Sequence, residues 1–536
     1  MLKLMITAIA SNSGKTAVTC GLLSLLKRKG FDPCAFKCGP DYIDPMFHRT
    51  VLGIPSSNLD VFLAGEEGVK RTFARGCAGV RSSADAAKED RAEPHAHGAA
   101  ICEGVMGYYD GITGSSAAAS AWHVARLLEL PAILVLRPKG AALTLAAVVK
   151  GMVEFQPELS EVTDTVKSGE GTEQETPDEK AAMPSAACGN DLQGGQIRGV
   201  ILNDCSEMYY KTYGSVIEKA SGIPVLGYLP HMEEAVFESR HLGLMTAEEI
   251  RDLGERIDRI GARMEETIDL QRLLSVMGNE ADSIEMTPDG NQDGCQTDGD
   301  QDNCQKDRNR DYGQADGNQY NHETETDPVR IAVAKDAAFN FIYAESIAAL
   351  EQAGGEIVYF SPLEDACLPE DIHGIYLPGG YPELYGKRLS ENVSMRESIR
   401  GALNSGIPTI AECGGFLYLS ESLEDADCNI WPMADVLPGH AAGTGKLVRF
   451  GYGHIGCDRD SMLFRSGEQI PAHEFHYWDT TQPGSDLTLT KNSNGRQWQF
   501  GYATDTLYAG FPHLYLAGNH LAERFVQAAG ASIGED

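Results

Sequence analysis

The chain has 536 residues, more than the roughly 250–300 that one hydrophobic core usually organises, so at least two domains are expected. Its 44 Lys and Arg against 78 Asp and Glu give a formal net charge of −34, a field that repels nucleic acid and anionic membrane surfaces and excludes both as expected partners. With 42% hydrophobic residues, no signal-peptide pattern, no apolar run of bilayer-spanning length and 13 cysteines in so long a chain, the composition fits a cytoplasmic α/β protein whose thiols are mostly buried.

An apolar run at Leu4-Met5-Ile6 feeds the polar loop Ala10-Ser11-Asn12-Ser13-Gly14-Lys15-Thr16, and an apolar-periodic segment begins at Ala17. This is strand, phosphate loop, helix. Backbone amides and the helix dipole face a polyphosphate there, Lys15 reaches terminal phosphate oxygens, and Thr16 offers a hydroxyl to Mg²⁺, so ATP is the expected ligand. The loop departs from the usual pattern at Ile9, which stands where a first glycine is expected. Pro33 to Lys37 reads as a second strand running into Lys37-Cys38-Gly39-Pro40-Asp41-Tyr42-Ile43-Asp44-Pro45. In a parallel sheet that segment falls at the ligand-binding carboxyl edge, where Lys37 can meet phosphate and Asp41 can hold Mg²⁺; a plain Gly-Pro-Asp turn is the alternative. Cys34 and Cys38 are spaced C-x₃-C without a second pair or histidine at zinc spacing, so they are read as structural thiols.

Cys77 to Gly98 reads as a surface excursion, followed by a buried strand at Ala99–Cys102 that ends in Glu103, the expected second acidic group of the metal site. Asp110, in a glycine-flanked loop, can reach substrate or nucleotide, or can simply make an Asp-Gly turn. Ala132–Leu136 is a strand, Ala141–Phe155 a helix, Ile197–Asn203 a strand ending in Asn203-Asp204, and Ile223–Tyr228 another. This alternation predicts a doubly wound parallel sheet. Gln156 to Gln196 is polar, acidic and rich in Gly, Ser and Pro, and is expected to be disordered. Ala247 to Leu274 carries helical periodicity, and beyond Met277 the chain through Asp327 is almost wholly polar, the composition of a linker; Cys295 and Cys304 would be exposed within it.

The second half restarts with strands at Val329–Ala334, Glu356–Phe360 and Gly374–Leu377, with a helix through Leu350. Gly379-Gly380 then lets backbone amides approach a ligand or an oxyanion. Ile407–Ala411 ends in Glu412-Cys413-Gly414-Gly415, a cysteine on a sharp strand-to-helix turn, exposed at the positive end of a helix that favours thiolate. Such a thiolate needs a base, for which His440, His454, His473, His476, His513 and His520 are the candidates. His513, in the apolar segment Phe511–Leu516, is placed to face the cysteine or to serve as a buried structural residue.

These motifs, with Arg240-His241-Leu242-Gly243-Leu244, Ala338-Phe339-Asn340-Phe341, Pro378-Gly379-Gly380-Tyr381-Pro382-Glu383 and His473-Glu474-Phe475-His476-Tyr477, closely resemble the cobyrinic acid a,c-diamide synthases, ATP-dependent amidotransferases of the corrin pathway. The resemblance implies a dethiobiotin synthetase-like P-loop domain over 1–246 with an insert at about 156–196, a helical extension at 247–276, a disordered linker at 277–328, and a cobalamin-type class I glutamine amidotransferase domain over 329–536. It further implies that Ser13, Gly14, Lys15, Thr16 and Lys37 bind ATP, that Thr16, Asp41 and Glu103 surround Mg²⁺, and that Tyr42, Ile43 and Asp110 contact the corrin. Cys413 would be the glutaminase nucleophile and His513 its base, with Gly379, Gly380 and Gly414 around glutamine and the oxyanion. Leu514-Tyr515 follow the histidine where class I enzymes usually carry Pro-Glu, so no third triad carboxylate is apparent. Cobyrinic acid or hydrogenobyrinic acid, L-glutamine and ATP are the implied partners, in a monomer or homodimer. Nickel-sirohydrochlorin a,c-diamide synthase and cobyric acid synthase are the nearest rivals, and a regulatory P-loop ATPase with an inert amidotransferase-like domain is the rival of a different class.

Overall fold

The computed structural model describes residues 1–79, 97–113, 115–157, 195–236, 239–240, 243–244, 252–277 and 328–531. The expected insert at 156–196, the linker at 277–328 with Cys295 and Cys304, and the middle of the Arg240–Leu244 motif lie outside these residues, apart from a few at their edges. Described residues on both sides of the linker pack into one compact unit.

In the first half, β1 (Leu2–Ala8) leads through the phosphate loop into α1 (Lys15–Arg28), then β2 (Phe31–Cys38), β3 (Ser56–Leu59), α2 (Val61–Ala78), β4 (His97–Glu103), β5 (Ala132–Leu136), β6 (Ile197–Asn203) and β7 (Val225–Leu229). The strands form a parallel sheet in the order β3-β2-β4-β1-β5-β6-β7. β1 and β5 are near-continuous apolar runs because helices cover both faces. The fold also explains where the site forms: β1, β2, β4 and β6 end at the same edge, and in register Lys37 pairs with Glu103 and Ile6 with Glu103. Within the helical segment expected at 247–276, the described residues from 252 onward form two helices, α6 (Leu253–Thr267) and α7 (Leu270–Val276), numbered after the intervening helices Ala121–Leu127, Leu143–Glu154 and Glu207–Ser221. Packing of α6 on α1 depends on Gly21, where a Cβ would stand 2.5 Å from Met264 Sδ. Among the described residues no helix is long and apolar enough to cross a membrane.

The second half carries a mixed sheet built from β8 (Val329–Ala334), β9 (Gly355–Phe360), β10 (Gly374–Leu377) and β11 (Thr409–Glu412), which lie parallel in the order β9-β8-β10-β11. A region that the sequence left unassigned adds an antiparallel sheet of β12 (Arg449–Gly456), β13 (Gln469–His476), β14 (Leu487–Lys491) and β15 (Gln497–Phe500). After β16 (Tyr502–Ala503), β17 (Leu507–Gly510) returns to pair with β11, and β18 (His513–Leu514) pairs with β13. The two halves meet through aromatic and polar contacts. Tyr42 stacks on Phe341 with ring centroids 5.0 Å apart and lies 4.4 Å from the Tyr343 ring, while Leu63, Tyr343 and Tyr515 form a buried cluster. Tyr452 donates from its hydroxyl to Asp60 Oδ2 at 2.7 Å, and the Asn58 amide donates to Glu345 Oε1 at 3.2 Å.

Candidate active site

The phosphate loop is pinned from below by β6. Gly14 has φ of 89°, and a Cβ there would sit 1.9 Å from Asn203 Nδ2, which donates to the Ser13 carbonyl at 3.0 Å. Only glycine fits this approach. Ser13 Oγ donates to the Ala10 carbonyl at 2.9 Å, and Lys15 Nζ folds back onto the carbonyls of Met106 at 2.6 Å and Ala10 at 3.2 Å. Ile9 is exposed, so a side chain in place of the first glycine is accommodated in solvent. Burial lowers the Lys15 pKa to about 8, with repulsion from Lys37 adding to it.

Lys37 is buried and engages two carboxylates: it donates to Glu103 Oε1 at 2.8 Å and pairs closely with Asp44 Oδ2. Thr16 Oγ1 donates to Glu103 Oε1 at 2.8 Å and lies 3.4 Å from Asp44 Oδ2. Burial raises Glu103 to about 7 against the opposing pull of Lys37, whereas at Asp44 burial is outweighed by the Lys37 charge and hydrogen bond together with smaller contributions from His48 and Glu103, and the pKa falls. Asp41, expected at the metal, is placed differently. Its Oδ1 accepts from the amides of Ile43 at 2.9 Å and Asp44 at 3.2 Å, at the start of the short helix Ile43–Met46, and its Oδ2 is 3.8 Å from Lys37 Nζ. Asp44, unselected from sequence, takes the inner position. Among the described residues no three His, Cys, Asp or Glu side chains converge as a metal site. The hydroxyl of Thr16 with the carboxylates of Asp44 and Glu103 nonetheless fits Mg²⁺, because Glu103 Oε2 is buried with no hydrogen-bond partner. Asp110 Oδ2 accepts from the Gly107 amide at 2.9 Å, closing its own turn, and Ile43 is buried beside Asp44.

In the second half β11 delivers Cys413 onto a turn with φ of 45° and ψ of −102°, and the helix Gly414–Leu419 follows. A non-glycine residue held there is strained, the backbone shape of a nucleophile elbow. Gly415 permits the turn, since a Cβ would meet the Leu377 carbonyl oxygen at 2.1 Å, and Gly414 packs against the Gly380 amide. The thiol is buried rather than exposed, and burial, reinforced by Glu383, raises its pKa well above the usual thiol range; the Gly414 amide opposes this only in part. The expected thiolate-favouring helix end is therefore outweighed: the helix has six residues, and desolvation of the charge dominates.

His513 lies over Gly379, where a Cβ would approach Cε1 to 2.3 Å. The glycine pair thus holds the imidazole at one member and the Cys413 turn at the other. Burial lowers His513 to about 3, aided by His473 and His476, so the ring is neutral. Its Nδ1 has no hydrogen-bond partner and lies 3.8 Å from Glu412 Oε2. Glu412 accepts from the Leu514 amide at 2.9 Å and the Tyr376 hydroxyl at 3.0 Å, and burial raises its pKa to about 8. It is a carboxyl group beside the histidine that sequence reading missed. His476 is otherwise engaged, stacked on Phe511 at 3.8 Å and within 3.0 Å of Glu474 Oε1, and His454 packs on Phe62. His440 lies 3.0 Å from Ser422 Oγ.

One cavity of about 800 Å³ joins the halves: Lys15, Thr16, Lys37, Tyr42, Asp44 and Glu103 line it from one side and His513 from the other. Residues 4–242 match the CobQ/CobB/MinD/ParA nucleotide binding domain, and residues 330–520 match the CobB/CobQ-like glutamine amidotransferase domain. The chain is 34% identical over 532 residues to the cobyrinate a,c-diamide synthase of Clostridium tetani, covering 97% of this chain and 98% of that one. It is 33% identical to the synthase of Caldanaerobacter subterraneus, covering 96% and 94%, and 33% identical to that of Clostridium acetobutylicum, covering 97% and 98%. A P-loop half and an amidotransferase half, matched along nearly their whole length by these synthases, place the chain in the cobyrinate a,c-diamide synthase family.

Proposed function

We propose that this chain amidates the a and c side-chain carboxylates of cobyrinic acid, or of hydrogenobyrinic acid, using ATP and glutamine and passing through an acyl phosphate. The observation that carries this reading is the shared cavity, whose wall holds both the phosphate-loop lysine and the histidine beside the nucleophile turn. A carboxylate is inert toward ammonia until one oxygen becomes a leaving group. A carboxylate oxygen of the substrate attacks the γ-phosphorus of ATP and releases ADP; Lys15, freed from its backbone carbonyls, stabilises the charge on the transferring group. Thr16, Asp44 and Glu103 would hold Mg²⁺, which supplies neutralisation of phosphate charge.

In the other half the Cys413 sulfur attacks the glutamine carboxamide carbon as His513 takes the thiol proton, and that proton leaves on the departing ammonia. Amides near Gly380 and Gly414 would receive the oxyanion. Water hydrolyses the thioester to glutamate. Ammonia then attacks the acyl carbon, phosphate departs, and the amide remains. Because ammonium dominates at neutral pH, generating ammonia beside a shielded cavity keeps it nucleophilic. The test uses substrate labelled with ¹⁸O in its carboxylates, with cobyrinic acid, its metal-free form and nickel-sirohydrochlorin offered in turn. One ¹⁸O per amide should appear in inorganic phosphate, and label in AMP or in water alone would overturn the acyl phosphate.

A further inference from the structure

The cavity has a wall that this reaction leaves unused. On β12 and β13, Phe450 stands opposite Phe475 and Tyr452 opposite His473. Alternate residues of a strand share a face, so the four rings form a two-by-two patch on one side of the ribbon, and all four line the cavity. Phe450 lies 5.3 Å from Phe475 and 6.0 Å from His473 by ring centroids, and Tyr452 lies 5.2 Å from His473. The Tyr452 end is tied to the first half through Asp60, whereas Phe450 is 50% exposed, a large ring left half in solvent within a cavity. Such a ring gains most from a flat apolar ligand.

Charge along the cavity points the same way. Five carboxylates line it: Asp41, Asp44, Glu103, Asp110 and Asp204. Most of the cations are committed. Lys37 is held by Asp44 and Glu103, Lys15 lies on backbone carbonyls, and Arg137 donates through Nε to Asp204 at 2.7 Å. Lys491, at the end of β14, lines the same cavity with its stem beside Gly451, and among the described residues its ammonium has neither ion pair nor hydrogen bond. A polycarboxylate entering this acid-rich space needs such an uncommitted cation.

We propose that the β12–β13 face carrying Phe450 and Phe475, with Lys491 at its margin, seats the macrocycle of a tetrapyrrole polycarboxylate, the ring against the aromatic side chains and a peripheral carboxylate on Lys491. This rests on the function proposed above and extends its substrate site, which the family resemblance puts at Tyr42, Ile43 and Asp110, onto the second half. The substrate then bridges both halves, with its reacting side chains toward the phosphate loop.

Steady-state kinetics of wild type, Phe450→Ala, Lys491→Ala and Lys491→Arg, varying cobyrinic acid, ATP and glutamine separately, test it. Losing one charge-assisted contact or one aromatic face should raise the KM for the tetrapyrrole about tenfold in each alanine variant, with recovery in Lys491→Arg. The KM values for ATP and glutamine should not move. An unchanged tetrapyrrole KM in both alanine variants, or a parallel rise in all three KM values, would overturn the seat while the proposed function stands. A wild-type protein that turns over no tetrapyrrole would overturn both.

Discussion

Replacing Gly379 by alanine probes the glutaminase geometry directly. The added Cβ would stand 2.3 Å from His513 Cε1, 3.2 Å from Nδ1 and 3.3 Å from Nε2. An ordinary carbon–carbon contact is about 3.5 Å, so the imidazole or the glycine pair must yield by about 1.2 Å. The backbone has little freedom to do so, since a Cβ at neighbouring Gly380 would itself meet the Ala338 carbonyl oxygen at 2.0 Å, leaving the ring as the part that moves. Displacing a catalytic group by about 1 Å costs on the order of 10²-fold in rate. Glutamine hydrolysis by Gly379→Ala should therefore fall about 10²-fold, while ATP-dependent amidation supplied with ammonium salt at raised pH is preserved. The assay measures glutamate release and diamide formation in parallel. The same substitution made on a His513→Ala background should add almost nothing, because the atom it collides with is gone. Wild-type glutaminase activity in Gly379→Ala, or a full further loss in the double variant, would refute the reasoning.

Three further outcomes are expected. Glu103→Gln should lower amidation by about 10²–10³-fold from glutamine and from ammonium alike, since it removes charge at the phosphoryl site; near-normal activity from either nitrogen source in the folded variant would contradict the assignment. Lys37→Met leaves Asp44 and Glu103 facing each other without their shared cation and should cost about 3–5 kcal/mol by chemical denaturation, and a midpoint equal to wild type would contradict the buried ion cluster. Glu412 has a folded pKa of about 8, above its unfolded value, so the native state binds the extra proton; its stabilising contribution is complete below the unfolded pKa and is lost as pH rises toward 8. Relative to Glu412→Gln, wild type should lose stability between pH 5 and 8 with a limiting slope of about 1.4 kcal/mol per pH unit, and parallel stability profiles would contradict the buried carboxyl.

Local chemistry made much of this architecture legible. Apolar runs bounded by glycine or charge read as buried parallel strands, and Ile197–Asn203, Ala132–Leu136, Val329–Ala334 and Gly374–Leu377 form with the bounds expected. The phosphate loop and the cysteine turn were visible because each needs specific residues in consecutive positions. Elements specified by distant pairing were not. β3 has the sequence Ser-Ser-Asn-Leu, which carries no strand pattern, and forms through its register with β2. The β12–β15 sheet is broken by glycines and polar residues and is held by cross-strand partners.

The site divides in the same way. Asp41 and Asp44 stand three residues apart in one motif, and the short helix Ile43–Met46 ties Asp41 to the amides of its first residues while carrying Asp44 onto Lys37. Glu412 was hidden by adjacency, for its neighbour Cys413 drew the attention while the strand pleat sends the carboxyl toward Leu514 and His513. Burial of the Cys413 thiol also escaped the sequence, because a turn motif specifies backbone shape and not what packs over it.

The central claim is a division of labour, with ammonia made at Cys413 and the carboxylate activated at the phosphate loop. Cys413→Ser, assayed for diamide formation from cobyrinic acid with ATP and Mg²⁺, tests it most directly. Glutamine-dependent synthesis should disappear, while synthesis from ammonium salt at raised pH continues at the wild-type ammonium rate. Full glutamine-dependent activity in Cys413→Ser, or loss of the ammonium-dependent reaction in the folded variant, would contradict the account.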